Sequence, residues 1–241
     1  MNYLAHSLAC IDDPYQVAGV AVPDWLGLTR PRLRCRSRQA APFAEASDAV
    51  AASVARGVMQ HHADDDWFHN TPAFCELSLD FARRVRHATG DVDGMRPSFL
   101  GHILVELLLD ATLIAERREH VDDYYAALGM IDADRVAAIV GEMVGGDASQ
   151  LASIVRKFTA MRFLYDYVED EPLTYRLNQV MRRVQLPELP PRFSSVLPAA
   201  RGLVAEHRAA LLTPPAVWES DAPVERCAAT AARLGGSLAL P

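Results

Sequence analysis

Lysine is almost missing from this 241-residue chain: Lys157 stands alone, and the remaining cationic charge is arginine. That bias supports no functional reading. Acids outnumber bases to give a net charge of −7, which argues against a dedicated nucleic-acid binder while leaving room for a local basic patch. No apolar run approaches the roughly 18 residues that a membrane span needs, so no membrane partner is expected. The opening MNYLAHSLACIDD has no basic n-region and reaches acids too early for a signal peptide. Cys10, Cys35, Cys75 and Cys227 are too dispersed for a thiolate metal motif. Their spacing suits free thiols in a reducing cytosol, and the expected location is cytoplasmic. There is no sustained strand pattern, internal repeat or Gly-rich phosphate loop. A G-x-S-x-G elbow and a zinc-deaminase signature are missing too, which sets those chemistries aside.

What remains is helical. The expected fold class is all-α, a multi-helix bundle long enough to bury a real core. Two short helices should occupy residues 2–28, the second opened by the Asp13-Pro14 pair and bent by Pro23 just before Asp24. A helix over about 44–70 is followed by one that starts at Thr71-Pro72 and runs to about 87. His87 there should meet the helix dipole. Pro97 opens an apolar helix through Glu116, the best candidate for the centre of the core. Further helices are expected at 121–129, 132–144, 148–168, 171–185 and 192–212. Phe158, Phe163, Tyr165 and Tyr167 read as packing residues, and His120 and His207 as surface and structural. The domain should cover 1–212, with 213–241 a looser extension carrying a weak helix near 224–234.

The chemistry concentrates in residues 57–74, GVMQHHADDDWFHNTPAF. On a helix His61, Asp65 and His69 fall at i, i+4 and i+8, with His62 beside them on the same arc. Imidazole nitrogen and carboxylate oxygen converging on one point are borderline ligands suited to divalent Mn, Fe or Zn. The apolar helix repeats the spacing with His102, Glu106 and Asp110. The expectation is that the two stripes face each other across a metal; the plainer alternatives are a solvated acidic face and a thin polar stripe. Ahead of both in sequence, Arg30, Arg32, Arg34, Arg36 and Arg38 alternate with Pro31, Leu33, Cys35 and Ser37. This pattern opposes a helix and reads as an extended loop or short edge strand. Its guanidiniums could attract a phosphorylated or acidic partner, or simply form a solvated loop.

These residues carry a resemblance. The opening MNYLAH, the segment AGVAVPDWLG around Asp24, and the spacing H-x3-D-x3-(D/H)-x2-P of His61, Asp65, His69 and Pro72 resemble the acyl carrier protein phosphodiesterases. These are divergent relatives of the HD-domain metal-dependent phosphohydrolases. The likeness covers about residues 1–212, with specific motifs only in the N-terminal half. It implies an HD-domain-like bundle with a metal site between helices, made from His6, Asp24, His61, Asp65, His69 and His102. It also implies manganese as the favoured ion and release of phosphopantetheine from holo-acyl carrier protein. Glu106 is added from helical spacing alone. Three departures stand out: His62-Ala63-Asp64 replaces a basic pair, His69 replaces an aspartate, and Gly101 replaces the aspartate expected before His102.

The expected function is therefore metal-dependent phosphodiester hydrolysis. Mn2+ is the first choice of ion, Fe2+ or Zn2+ the others, and the substrate is holo-acyl carrier protein or a phosphorylated small molecule. His61, Asp65, His69, His102, Glu106 and Asp24 are the expected ligands, with His62 and Asp110 as alternates. His6, Asp24 and Asp65 would serve catalysis, and Arg30, Arg32 and Arg34 would hold the substrate phosphate. The competing expectation is a non-hydrolytic helical protein, either a di-metal redox protein or an inactive relative acting as an interaction module. The His-before-Glu order, four apart, differs from the Glu-x-x-His spacing of di-iron bundles and favours the hydrolase.

Overall fold

The computed structural model describes residues 1–90 and 92–214; the weak helix expected near 224–234 lies outside them. The described residues form eleven α-helices and no strand. Their order is α1 (Tyr3–Ser7), α2 (Pro14–Leu26), α3 (Ser37–Ala44), α4 (Ala49–Phe68), α5 (Pro72–Thr89), α6 (Pro97–Glu116), α7 (Glu119–Gly129), α8 (Ala133–Val144), α9 (Gln150–Met161), α10 (Asp170–Arg183) and α11 (Leu197–Leu211). Short 3-10 turns follow α1 and α9 and precede α11.

α6 is the axis. It is buried along nearly its whole length from Leu100 to Ile114 and packs against α1, α5, α7, α11 and the 3-10 turn Phe163–Val168. Contrary to the expectation that no apolar run is long enough, this helix could cross a membrane by length and apolarity, but here other helices cover most of it. Its apolar character is explained by burial on all sides.

Two helix pairs approach unusually closely. At the α2–α4 crossing a Cβ on Gly57 would stand 2.3 Å from the carbonyl oxygen of Gln16 and 2.7 Å from Cα of Gly19. At the α5–α6 crossing a Cβ on Gly101 would stand 2.4 Å from the carbonyl oxygen of Ser78. Gly101 therefore faces the α5 backbone, and no side chain of any kind fits there.

Several boundaries differ from the sequence reading. The helix expected over 44–70 starts later, at Ala49, because Asp48 accepts hydrogen bonds from the N–H groups of Val50 and Ala51 and so opens α4 there; the residues before the break belong to a separate helix, α3. The segment before it holds no strand: it is extended only to Arg36, and Arg38 lies on α3. The long helix expected over 148–168 breaks at Arg162, which takes a left-handed conformation with φ 46°. α2 runs through Pro23 to Leu26.

α1 has only five residues, far too few to be stable alone. It is fixed from outside by Asp110 of α6, which accepts hydrogen bonds from Leu4 N at 3.0 Å, Ala5 N at 2.9 Å and Asn2 Nδ2 at 2.9 Å. Asp110 thus acts as a remote cap and not as the alternate metal ligand suggested by its spacing. Burial pushes its carboxyl up to about 6 from 3.8, against the pull of the two peptide donors. Because the unfolded chain releases this proton first, Asp110 should make stability fall as pH rises from 3.8 toward 6. Denaturant midpoints of wild type and Asp110→Asn across that range test this: the difference between them should slope, and a flat difference would contradict it.

Candidate metal centre

Two triads of ligand-type side chains lie side by side. One joins His6 of α1 with His61 and Asp65 of α4; the other joins His69, just past the end of α4, with His102 and Glu106 of α6. Within each triad the three candidate ligand atoms lie within 4.8 Å of one another, so either could hold a metal ion. In the first, Asp65 Oδ1 is 3.3 Å from His6 Nε2 and Asp65 Oδ2 is 3.5 Å from His61 Nε2. In the second, Glu106 Oε1 is 2.7 Å from His69 Nε2 and 3.2 Å from His102 Nε2. Two ligands of one tetrahedral ion, each about 2.1 Å from it, stand roughly 3.4 Å apart. Three of the four separations match that spacing, and the His69–Glu106 contact would have to open slightly.

The triads share one buried neighbour. The amino group of Met1 lies 2.7 Å from Asp65 Oδ1 and 3.5 Å from Glu106 Oε1. Burial alone would lower the pKa of this amine, yet Asp65 and Glu106 raise it to about 10. A buried ammonium between two carboxylates shows that the surroundings balance positive charge, which is what a divalent ion requires. The counterpart is seen on the acids: against the effect of burial, the amine and the neighbouring imidazoles hold Asp65 and Glu106 well below the usual carboxylate range.

The histidines are oriented by neighbours. His61 Nδ1 lies 2.8 Å from the carbonyl oxygen of Val20, which accepts its proton and leaves Nε2 as the lone-pair atom facing Asp65. Burial lowers its pKa to about 3, so this imidazole is neutral, the state a ligand must have. His6 Nδ1 lies 3.1 Å from Asp64 Oδ2, and its ring stacks on His61 with centroids 4.5 Å apart. Although burial opposes it, Asp64 and Asp65 raise His6 to about 9. Burial, then the Met1 amine, lower His69.

Not every expected residue joins. His62 points elsewhere, its Nε2 2.8 Å from the carbonyl oxygen of Cys35, so His61 is the triad member. Asp24 is buried and close enough to raise the Met1 amine, but it belongs to neither triad. His6, expected in the metal site and for catalysis, joins the first triad. Arg30, Arg32 and Arg34 are exposed. The backbone of Arg30 exchanges two hydrogen bonds with the side chain of Gln150, and Arg32 feels the charge of Asp24. His87 is exposed in the last turn of α5, and His207 bonds the carbonyl oxygen of Leu203.

Sequence reasoning passed over Asp64 and Gln60. Asp64 accepts from His6 and from Trp67 Nε1, while Gln60 Nε2 donates to the carbonyl oxygen of His6 at 2.9 Å. Asp64 was visible as an acid one turn beyond His61, but its partner is 58 residues away in sequence.

Comparison with family models, with curated proteins and with solved structures gave no match for this chain.

Proposed function

We propose that the chain is a metal-dependent phosphoester hydrolase of the kind its motifs resemble, acting in the cytoplasm on holo-acyl carrier protein or a phosphorylated small molecule. The carrying observation is the pair of adjacent triads, each with two imidazoles and one carboxylate, on either side of a buried ammonium held by Asp65 and Glu106. The donor set suits manganese, with iron or zinc as the other candidates. A divalent ion bound there would make a water acidic enough to attack near neutral pH and would polarise a phosphoryl oxygen.

The chain's own residues complete the reaction. His6, His61 and Asp65 form one ligand set, and His69, His102 and Glu106 the other. Asp24, buried beside the amine, accepts the proton of the attacking water. Arg32, electrostatically linked to Asp24, and its neighbours Arg30 and Arg34 hold phosphate oxygens with paired N–H donors. The same exposed row gives an acidic carrier protein a surface to meet.

The test is metal content of the purified protein together with turnover of bis(p-nitrophenyl) phosphate and holo-acyl carrier protein. Asp65→Asn should lose bound metal and nearly all turnover, and unchanged values for both would refute the site. The same two-histidine, one-carboxylate composition also occurs in non-haem iron oxygenases. Iron with oxygen uptake and no phosphoester cleavage would decide for that second reading.

A further inference from the structure

The Met1 amine stands on ground that both ligand sets need. It lies 2.7 Å from Asp65 Oδ1 and 3.5 Å from Glu106 Oε1, so it touches one carboxylate of each triad. The same two oxygens face the imidazoles: Asp65 Oδ1 is 3.3 Å from His6 Nε2, and Glu106 Oε1 is 2.7 Å from His69 Nε2 and 3.2 Å from His102 Nε2. Met1 is only 6% exposed, so salt and water screen these contacts little. His6 Nε2 and Glu106 Oε2 are meanwhile buried without a hydrogen-bond partner, so each triad keeps one unused ligand-type atom close to the ammonium.

Distance and charge set the ammonium against an ion. A divalent ion bonded to Asp65 Oδ1 sits roughly 2.1 Å from it, and so stands at most about 4.8 Å from an amine that keeps its 2.7 Å contact with that oxygen. Two positive charges that close in a buried site repel strongly. Asp65 and Glu106 carry two negative charges between them. One divalent ion balances both, and an ammonium added to it leaves an excess. The amine can leave without undoing the fold, because Met1 precedes α1 and the tether to Asp110 runs through Asn2, Leu4 and Ala5. Turning about the backbone of Met1 swings the amine aside and displaces Met1 alone.

We propose that the α-ammonium of Met1 is a tethered cation that holds the carboxylates of both triads until divalent ions enter, and that loading drives it out. The part of those ions in hydrolysis rests on the hydrolase reading; the competition between amine and ion does not. Because the amine touches both carboxylates, it sets the ion affinity of the two triads together. It also keeps two buried acids from standing unpaired before an ion arrives.

The experiment is amine acetylation of the full chain, stripped of metal and then saturated with Mn2+, followed by peptide mass. Lys157 is the sole lysine and is exposed, so it serves as the internal clock. A free α-amine, with its lower pKa, outruns a lysine near neutral pH. In the stripped protein Met1 should instead lag behind Lys157, and saturating Mn2+ should speed it by about tenfold or more, as local release of a buried group does. A Gly-Ser extension ahead of Met1 moves the charge away. Calorimetric titration with Mn2+ should then show binding tighter by about tenfold or more, the least that one charge within about 4–6 Å is worth. Should the extended chain fail to fold, the labelling decides alone. Met1 that stays protected under saturating Mn2+ overturns the proposal while the metal centre stands, since amine and ion then coexist. Free labelling of Met1 in the stripped protein overturns it too, as does a folded extended chain that binds Mn2+ no more tightly. A wild-type protein and an extended chain that both bind no Mn2+ reject the metal centre and the proposal together. Release of Met1 by Mn2+ without any phosphodiester turnover would uphold the displacement and reject the hydrolase.

Discussion

Glu106→Gln is expected to strip the protein of bound divalent metal and to lower phosphodiester turnover by at least about 100-fold, since even second-layer partners of metal ligands are worth 10- to 100-fold. Glu106 is 2% exposed and lies against His69, His102 and the Met1 amine. Its other oxygen, Oε2, is buried without a hydrogen-bond partner, an acceptor with capacity left for a cation. Glutamine keeps the volume but removes the charge and can turn an N–H2 toward groups that already donate. Metal analysis after desalting, with circular dichroism to confirm folding, checks the result. A folded Glu106→Gln protein with wild-type metal and turnover would remove this triad from the proposed site.

Gly57→Ala is expected to destabilise the fold by about 3 kcal/mol or more, at or beyond the upper end of ordinary overpacking. The reason is the nature of the obstacle: the added carbon meets backbone atoms of Gln16, Gly19 and Val20, which cannot rotate away as a side chain would. Against a typical total stability of about 5–15 kcal/mol this is a large fraction. α2 carries both Asp24 and the carbonyl of Val20 that orients His61, so spreading α2 from α4 should also weaken metal binding. Urea midpoints measure the first effect and metal titration the second. Gly202→Ala, in α11 where no atom lies within 4 Å of the added carbon, is the control and should stabilise slightly by helix propensity. Equal tolerance of both substitutions would show that the α2–α4 crossing is softer than its geometry says.

The all-α class and the pairings of His61 with Asp65 and of His102 with Glu106 could be read in advance because they follow from spacing along single helices. The expected convergence of His61, Asp65 and His69 on one point is corrected: His61 and Asp65 meet His6, while His69, just past the end of α4, groups with His102 and Glu106. The choice between His61 and His62 could not be read, because adjacent residues share an arc and the deciding carbonyls, of Val20 and Cys35, come from other segments. Asp110 misled for a related reason. It continues the i+4 stripe, but its position along α6 places it under α1, where peptide N–H groups take its oxygens. The break at Arg162 carries no glycine or proline to announce it.

The tether between Asp110 and the first turn of the molecule joins groups separated by 105 and 106 positions in the chain. During synthesis, then, α1 must wait for the central helix, made about a hundred residues later, before it acquires shape. His6 can stand beside Asp65 only after that docking, so on the proposed reading metal loading would be a late event in maturation and not a seed for it.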